Sequence, residues 1–157
     1  MKIAITGTRQ TEAHSVEDLD ALFAKFLGPF ATPSSHWYLG GASGIDTLAL
    51  SWLVHHSSCS ISVAVPVRVV DQAADAQAAI ATAQRLGRLH ELVELAHPEG
   101  LGDAAYTARN QWLVDHAELL IGFPLTADDD GSGTWATLVY AGLRKCPRLI
   151  VPLTAIQ

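Results

Sequence analysis

Charged side chains are scarce in this sequence, and basic ones are the scarcest. Only 17% of the 157 residues are Asp, Glu, Lys or Arg, against about 25% in an average soluble domain. Ten Lys and Arg against 16 Asp and Glu give a net charge of -6, which repels a bare phosphate backbone over most of the surface. We therefore do not expect duplex nucleic acid as a partner. A small anionic ligand stays open, because a few backbone N–H groups and one Arg can hold a phosphate inside an acidic protein.

The sequence also has few cysteines and no long apolar run. Cys59 and Cys146 lie far apart without CxxC spacing, which argues against a disulfide framework and a thiolate zinc site. Each is typical of a small buried hydrophobic residue. The apolar start of the chain is too short for a signal peptide, and the other apolar runs fall far short of a membrane span. We expect a soluble cytoplasmic protein that does not contact a membrane.

Hydrophobic residues, in contrast, make up 49% of the chain, which excludes a disordered protein. The length predicts a single domain over residues 1–157. The low charge content indicates extra buried surface, either in a two-sided sheet or against another subunit, and we expect both. A homodimer is therefore predicted.

Short β-rich runs alternate with helical periodicity along the whole chain, the pattern of βα units around a mostly parallel sheet. The predicted strands are residues 2–7, 36–40, 60–67, 90–95, 119–123 and 148–153, and two helices are predicted at 16–27 and 104–117. Three amphipathic stripes predict three more helices, and their Trp and Leu members are assigned to the core. The stripes are Ile45, Leu48, Ala49, Trp52, Leu53 and His56; Ala76, Ala79, Ile80, Ala83 and Leu86; and Trp135, Leu138, Val139, Gly142 and Leu143. The predicted fold class is α/β, a Rossmann-like three-layer fold with a mostly parallel central sheet of about six strands flanked by helices.

Three of the predicted βα loops carry glycine. They are Gly7-Thr8-Arg9, Gly40-Gly41-Ala42-Ser43-Gly44-Ile45-Asp46 and Asp130-Gly131-Ser132-Gly133-Thr134. Loops at the carboxyl ends of parallel strands share one edge of the sheet, where ligands bind in open α/β sheets. Glycine lets the backbone approach a ligand, and N–H groups at a helix start attract an anion. A glycine turn can also simply join a strand to a helix, but three together favour a phosphate site.

Several standard motifs are missing. The sequence has neither GxxxxGK[ST] nor GxGxxG at the first helix, which weakens assignment as a Walker-type NTPase or an ordinary NAD dehydrogenase. The seven His residues show no HxxxH or HExxH spacing, and no GxSxG elbow occurs. We therefore predict neither a dedicated zinc site nor a Ser-His-Asp hydrolase.

A few charged residues stand beside the glycine loops. Arg9 and Arg109 could converge on one anion, or each could pair with a surface carboxylate. Asp46 could cap the second helix or bind ribose hydroxyls. The run Asp128-Asp129-Asp130 is typical of a solvated loop, although it could recruit a divalent ion such as Mg²⁺ to a nucleotide phosphate. No other cofactor is expected.

Taken in order, the GTR start, the GGASGID turn, Arg109-Asn110 and Gly131-Ser132-Gly133-Thr134 resemble the SLOG superfamily. This Rossmann-like group unites the SMF/DprA DNA-processing proteins with the LOG phosphoribohydrolases. The match spans nearly the whole chain and is closest to small stand-alone bacterial and phage-type members. The resemblance implies a nucleotide-ligand fold whose site is built from these glycine loops, commonly in a dimer.

LOG enzymes hydrolyse the N-glycosidic bond of nucleoside 5'-monophosphates and carry a late PGGxGTxxE motif with an upstream Arg. By this resemblance Gly131, Gly133 and Thr134 match the GxGT part and Arg109 matches the Arg. The Glu position falls on Thr137, and Asp130 replaces the first glycine. Because glycosidic cleavage needs a carboxylate near the sugar, Asp46 or one of residues 128–130 would have to substitute.

The preferred hypothesis is binding of a nucleotide or nucleotide-derived small molecule. The alternative is a LOG-like hydrolase with Arg109 and Asp46 as its catalytic residues. A third is DprA-like binding of single-stranded DNA, which needs a basic groove and stacking aromatics. Most Trp residues follow buried helical stripes, and the placement of Trp37, Tyr38 and Trp112 is left open. The predicted ligand-binding residues are Gly7, Thr8, Arg9, Gly40, Gly41, Ser43, Gly44, Asn110, Gly131, Ser132, Gly133 and Thr134.

Overall fold

Six parallel strands form the centre of the computed structural model, which describes residues 1–155. The strands are β1 (Lys2–Gly7), β2 (His36–Gly40), β3 (Ser60–Val65), β4 (Leu89–Glu94), β5 (Leu119–Phe123) and β6 (Arg148–Ile150). The helices are α1 (Val16–Phe26), α2 (Ile45–His56), α3 (Ala74–Arg85), α4 (Asp103–Asp115) and α5 (Gly133–Leu143). All predicted strands and helices are confirmed, and the main difference is that β3 and β6 end earlier than predicted.

The strand order is β4-β3-β2-β1-β5-β6, so the winding direction changes at β1. Helices α1, α2 and α3 pack in one hydrophobic core, and α4 and α5 pack in a second. Because both faces of the sheet are covered, the central strands read as continuous apolar runs. Ile3, Ala4 and Ile5 on β1 are each fully buried. The predicted three-layer Rossmann-like α/β fold is confirmed.

Side chains just outside two of the helices define where these helices begin. The Ser15 hydroxyl accepts a hydrogen bond from the Asp18 N–H before α1, and the Ser132 hydroxyl accepts one from the Trp135 N–H before α5. Such N-caps satisfy amides that have no partner inside the helix. No helix within residues 1–155 is long and apolar enough to cross a membrane.

Helix α5 packs Leu138 and Trp135 in the second core as predicted, but the face that it buries is rotated from the predicted stripe. Its buried residues are Thr134, Thr137, Leu138 and Ala141. Val139 and Leu143, which the stripe assigned to the core, are 44% and 77% exposed. Thr137 is tolerated inside because its hydroxyl donates to the Gly133 carbonyl at 2.8 Å. The small side chains on the buried face let the helix lie close to the sheet. The expected homodimer stays a prediction.

The loop after β2 packs backbone against backbone on the loop after β1. The Ile45 N–H donates to the Thr8 carbonyl at 3.1 Å. Gly44 has a φ of 81°, and a Cβ there would lie 2.6 Å from both the Arg9 Cα and the Thr8 carbonyl oxygen. Only glycine allows this approach, because it has no Cβ and adopts positive φ readily. The first two glycine motifs therefore form one rigid unit.

Gly44→Ala should lower the free energy of unfolding more than Gly87→Ala does, and Gly87→Ala serves as the comparison variant. Both glycines have positive φ, but a Cβ at Gly87 would meet nothing within 4 Å. Gly87→Ala should therefore lose only the cost of the left-handed conformation, about 1–2 kcal/mol. Gly44→Ala should lose at least about 1 kcal/mol more, because the loops must also move apart and because the ψ of -129° at Gly44 lies outside the left-handed region. Urea unfolding of both variants measures the difference, and equal losses would contradict the close approach of the loops.

Candidate functional site

A cleft of about 380 Å³ opens at the carboxyl edge of the sheet, beside β1, where the strand order reverses. Open α/β sheets place their ligands at such a switch point. Four segments build the wall of the cleft. Its lining residues are Thr6, Gly7, Thr8, Arg9 and Gln10; Ala42 and Asp46; Asp103, Tyr106, Arg109 and Asn110; and Ser132, Gly133 and Thr134.

Most of the residues predicted to bind a ligand line this cleft. They are Gly7, Thr8, Arg9, Asp46, Arg109, Asn110, Ser132, Gly133 and Thr134. Gly40 lies behind the wall and Gly44 holds the two loops together, as described above. Gly131 lines a neighbouring groove instead.

Gly41 and Ser43 are not among the residues that line the cleft, and their contact with a ligand stays a prediction. A Cβ at Gly41 would lie 2.6 Å from a methyl group of Val65 and 3.1 Å from one of Ile80, so this glycine serves core packing. The Ser43 hydroxyl donates to the Asp75 carboxylate at 2.7 Å, which connects the loop to the start of α3. Both residues therefore have a structural role in shaping the loop.

Sequence reasoning missed several residues of the wall. Thr6 and Gln10 flank the GTR motif and could have been found by their proximity to it. Asp103 and Tyr106 lie on α4, and the spacing of 103, 106 and 109 places all three on one helix face. That spacing was available in the sequence, but the glycines before α4, Gly100 and Gly102, were not among the three predicted glycine loops.

Arg109 is the buried cation of the site. The residue is only 4% exposed, its Nε donates to the Asn110 side-chain oxygen at 2.8 Å, and its Nη1 lies 3.5 Å from the Ala64 carbonyl oxygen. Burial lowers the pKa of Arg109, and the Asp46 carboxylate opposes that shift. These contacts involve Nε and Nη1, and no partner is seen for Nη2 among residues 1–155. The guanidinium is thus held in place before any ligand arrives.

Asp46 is the buried carboxyl group of the site. The residue is 5% exposed, and its Oδ2 accepts a hydrogen bond of 3.4 Å from the Ala42 N–H. Burial raises the pKa of Asp46 to about 6, and Arg109, the Ala42 bond and Arg9 limit the rise. The sequence left open whether Asp46 caps α2 or contacts a ligand. The structure places it in the cleft wall with only this one long bond to the loop.

Gly40 explains how two charged side chains fit into this space. A Cβ at Gly40 would overlap the Arg109 guanidinium and would lie 2.6 Å from the Asp46 Oδ2. The absent side chain therefore makes room for both groups at the end of β2. Any larger residue would displace one of them.

The start of α5 contributes backbone N–H groups to the cleft wall. The Ser132 hydroxyl caps the Trp135 N–H, and Gly133 and Thr134 form the first turn of the helix at the cleft wall. Amides in a first helical turn have no partner within the helix and carry partial positive charge. Arg9 adds a second guanidinium, whose Cζ lies 4.7 Å from the Tyr106 ring centroid. The Tyr106 ring thereby stabilises a second cation at the cleft wall.

Two carboxylates of the acidic run before α5 accept hydrogen bonds from backbone N–H groups of the same loop. The Asp129 carboxylate accepts from the Gly131 N–H at 2.9 Å, and the Asp130 carboxylate accepts from the Ser132 N–H at 2.9 Å. Hydrogen bonds from Ser132 hold the pKa of Asp130 below its usual range. In the described part of the chain no three His, Cys, Asp or Glu side chains are arranged to hold a metal ion. Recruitment of Mg²⁺ with a nucleotide stays a prediction.

Comparison with known proteins identifies the fold. No family model matches the chain, and no curated protein matches it significantly in sequence. DNA processing protein A from Helicobacter pylori, in a structure that describes its single-stranded DNA binding mode, matches with a TM-score of 0.67 and 18% identity over 97% of this chain and 65% of its own. DNA processing protein A (DprA) from Streptococcus pneumoniae matches with a TM-score of 0.69 and 18% identity over 99% of this chain and 52% of its own. This chain thus spans one-half to two-thirds of their length, and the shared fold agrees with the resemblance to the SLOG superfamily.

The raised pKa of Asp46 predicts a specific pH dependence of stability. The folded-state pKa of about 6 lies above the ordinary value of 3.8, so the folded chain holds this proton more tightly than the unfolded chain. Stability from this group is therefore complete below about pH 4 and is lost as the pH rises through 6. The free energy of unfolding of the wild type, minus that of Asp46→Asn, should fall by about 3 kcal/mol between pH 4 and 7. Denaturant titrations across this range test the prediction, and parallel pH profiles would contradict it.

Proposed function

We propose that the cleft binds the phosphate group of a nucleotide or a nucleotide-derived small molecule. The observation that carries the proposal is the buried Arg109 guanidinium, which shares the cleft wall with the first amides of α5. A buried cation with a spare donor is stabilised by an anion that accepts charge-assisted hydrogen bonds. A phosphate offers three such oxygens, enough for Arg109 and the Gly133 and Thr134 amides together.

The remaining polar groups of the wall fit the sugar. The Asp46 carboxylate has one oxygen that the protein does not engage, and it can accept from a ribose hydroxyl. The Asn110 oxygen receives the Arg109 Nε–H, so its amide N–H₂ is the group that can donate to a ligand. The volume of about 380 Å³ lies within the range of small-molecule sites.

N-glycosidic hydrolysis is the second candidate function, and Asp46 is the observation that favours it. The LOG-like Glu position holds Thr137, which is 2% exposed and bonded within α5, so it supplies no carboxylate. Asp46 is a buried carboxyl with a pKa of about 6, suited to proton transfer near neutral pH. Under this hypothesis chromatography would detect free base released from a nucleoside monophosphate, and Asp46→Asn would abolish the release. Tight binding without any free base would leave the protein a binding module.

Single-stranded DNA is the third candidate, supported by the fold shared with the DNA processing proteins. The acidic balance of the chain, with a net charge of -6, disfavours contact with a long strand. Four arginines outside the cleft are engaged: Arg88 and Arg148 bond to backbone carbonyls, and Arg68 and Arg144 pair with carboxylates. The cleft itself presents Arg9 and Arg109, which is enough for one or two phosphates. A free nucleotide therefore suits the site better than a long strand.

Titration calorimetry with nucleoside mono-, di- and triphosphates, cyclic nucleotides, NAD, ADP-ribose and one single-stranded oligonucleotide tests the proposal. We expect a small nucleotide to bind, and Arg109→Ala to weaken it by roughly 1.5–3 kcal/mol, the scale of a charged hydrogen bond. Binding of the oligonucleotide alone would favour the DNA hypothesis. Unchanged affinity in a folded Arg109→Ala variant would remove this residue from the site.

Gly133→Ala gives a test that does not disturb a buried charge. A Cβ at Gly133 would meet no atom within 4 Å and its φ is ordinary, so the fold should tolerate alanine. The methyl group would nevertheless stand beside the amides proposed to hold the phosphate, and affinity should fall about tenfold or more. Gly28→Ala is the matched control, because its Cβ would contact only Trp52 at 3.9 Å, far along the chain from the cleft wall. Equal affinity in the two variants would argue against a phosphate at α5.

A further inference from the structure

A second depression of about 340 Å³ lies directly beside the cleft, between α4 and α5. The two share Asp103, Tyr106, Asn110, Ser132 and Gly133 as a common wall. We call this depression the α4–α5 groove. A ligand bound in the cleft can therefore extend into the groove without crossing the protein interior.

The chemistry of the groove differs from that of the cleft. The cleft contains Arg9 and Arg109, whereas no basic side chain lines the groove. Its own wall includes the Thr107 hydroxyl, the Gln111 amide, the Ala136 methyl group and the Tyr140 ring. These are neutral hydrogen-bonding and apolar surfaces, which suit a flat uncharged heterocycle better than a phosphate.

We propose that the α4–α5 groove is the subsite for the nucleobase of the ligand whose phosphate occupies the cleft. The inference rests on the proposed function and adds the place of the base, which distinguishes a nucleoside phosphate from a sugar phosphate or a free anion. The Tyr106 ring lines both depressions and offers an aromatic surface against which the nucleoside can pack.

Gln111 is the residue that reads the base edge. Its side chain is exposed, and it forms no hydrogen bond within residues 1–155. A carboxamide both donates and accepts, as the edge of a nucleobase does. The other polar groups are less available, because the Tyr140 hydroxyl donates to the Asp115 carboxylate at 3.0 Å and the Thr137 hydroxyl is bonded within α5. Thr107 lies one helical turn before Gln111 and completes the polar side of the groove.

The test compares the four common nucleoside 5'-monophosphates with ribose 5-phosphate, which carries the same phosphate and sugar without a base. The wild type should bind at least one nucleotide about tenfold or more tightly than ribose 5-phosphate. Gln111→Ala should weaken that nucleotide about 3- to 10-fold, the effect of one hydrogen bond. Ala136→Trp should fill the groove and weaken the nucleotide more than tenfold. Neither variant should change the affinity for ribose 5-phosphate by more than about twofold, and Gln84→Ala, an exposed glutamine on α3, is the matched control.

Each remaining outcome counts against the inference. Equal affinity of the wild type for ribose 5-phosphate and the nucleotides would overturn the base subsite and leave phosphate binding intact. The same holds if both groove variants bind the nucleotide like the wild type, or if they weaken ribose 5-phosphate equally. Failure of ribose 5-phosphate and of every nucleotide to bind the wild type would overturn the proposed function together with the subsite.

Discussion

The burial of one guanidinium constrains the whole carboxyl edge of this sheet. Arg109 lies almost out of contact with solvent, where an unpaired charge costs several kcal/mol. The protein accommodates it through the Asn110 side chain, the nearby Asp46 carboxylate and the space left by Gly40. These partners satisfy the cation only in part. This arrangement is the physical basis of the proposed anion site, in which a ligand would supply a further partner for the guanidinium.

The glycines around the site serve different physical needs. Gly40 makes room for the charged pair, Gly44 lets two loops touch through their backbones, and Gly41 makes room for core side chains. Gly133 meets no such demand from the protein, since a Cβ there would stand in open space. A motif rich in glycine therefore combines residues that the packing of the protein requires with at least one that this packing does not require. The two kinds of glycine can be distinguished only by the atoms that surround each Cα, and the sequence pattern does not contain this information.

The acidic composition of the chain and its proposed preference for an anion are compatible because electrostatics act locally here. Arg9 and Arg109 share one cleft, while the carboxylates of Asp129 and Asp130 are turned onto the backbone of their own loop. The net charge of -6 is spread over the rest of the surface and disfavours a long polyanion. The same distribution permits a single phosphate held by close, oriented donors.

The order of strands and helices was determined by the sequence, because the apolar runs and the 3.6-residue periodicity act over short distances and both faces of the sheet are covered. The convergence of the glycine loops also followed, since parallel strands bring their carboxyl ends to one edge. Only the tertiary structure decided which face α5 buries, that Ser43 turns to Asp75 and that Tyr106 joins the site. Those outcomes depend on contacts between segments far apart in the chain. There, close packing and the hydrogen bonding of buried polar groups decide the arrangement more than the local hydrophobic pattern does.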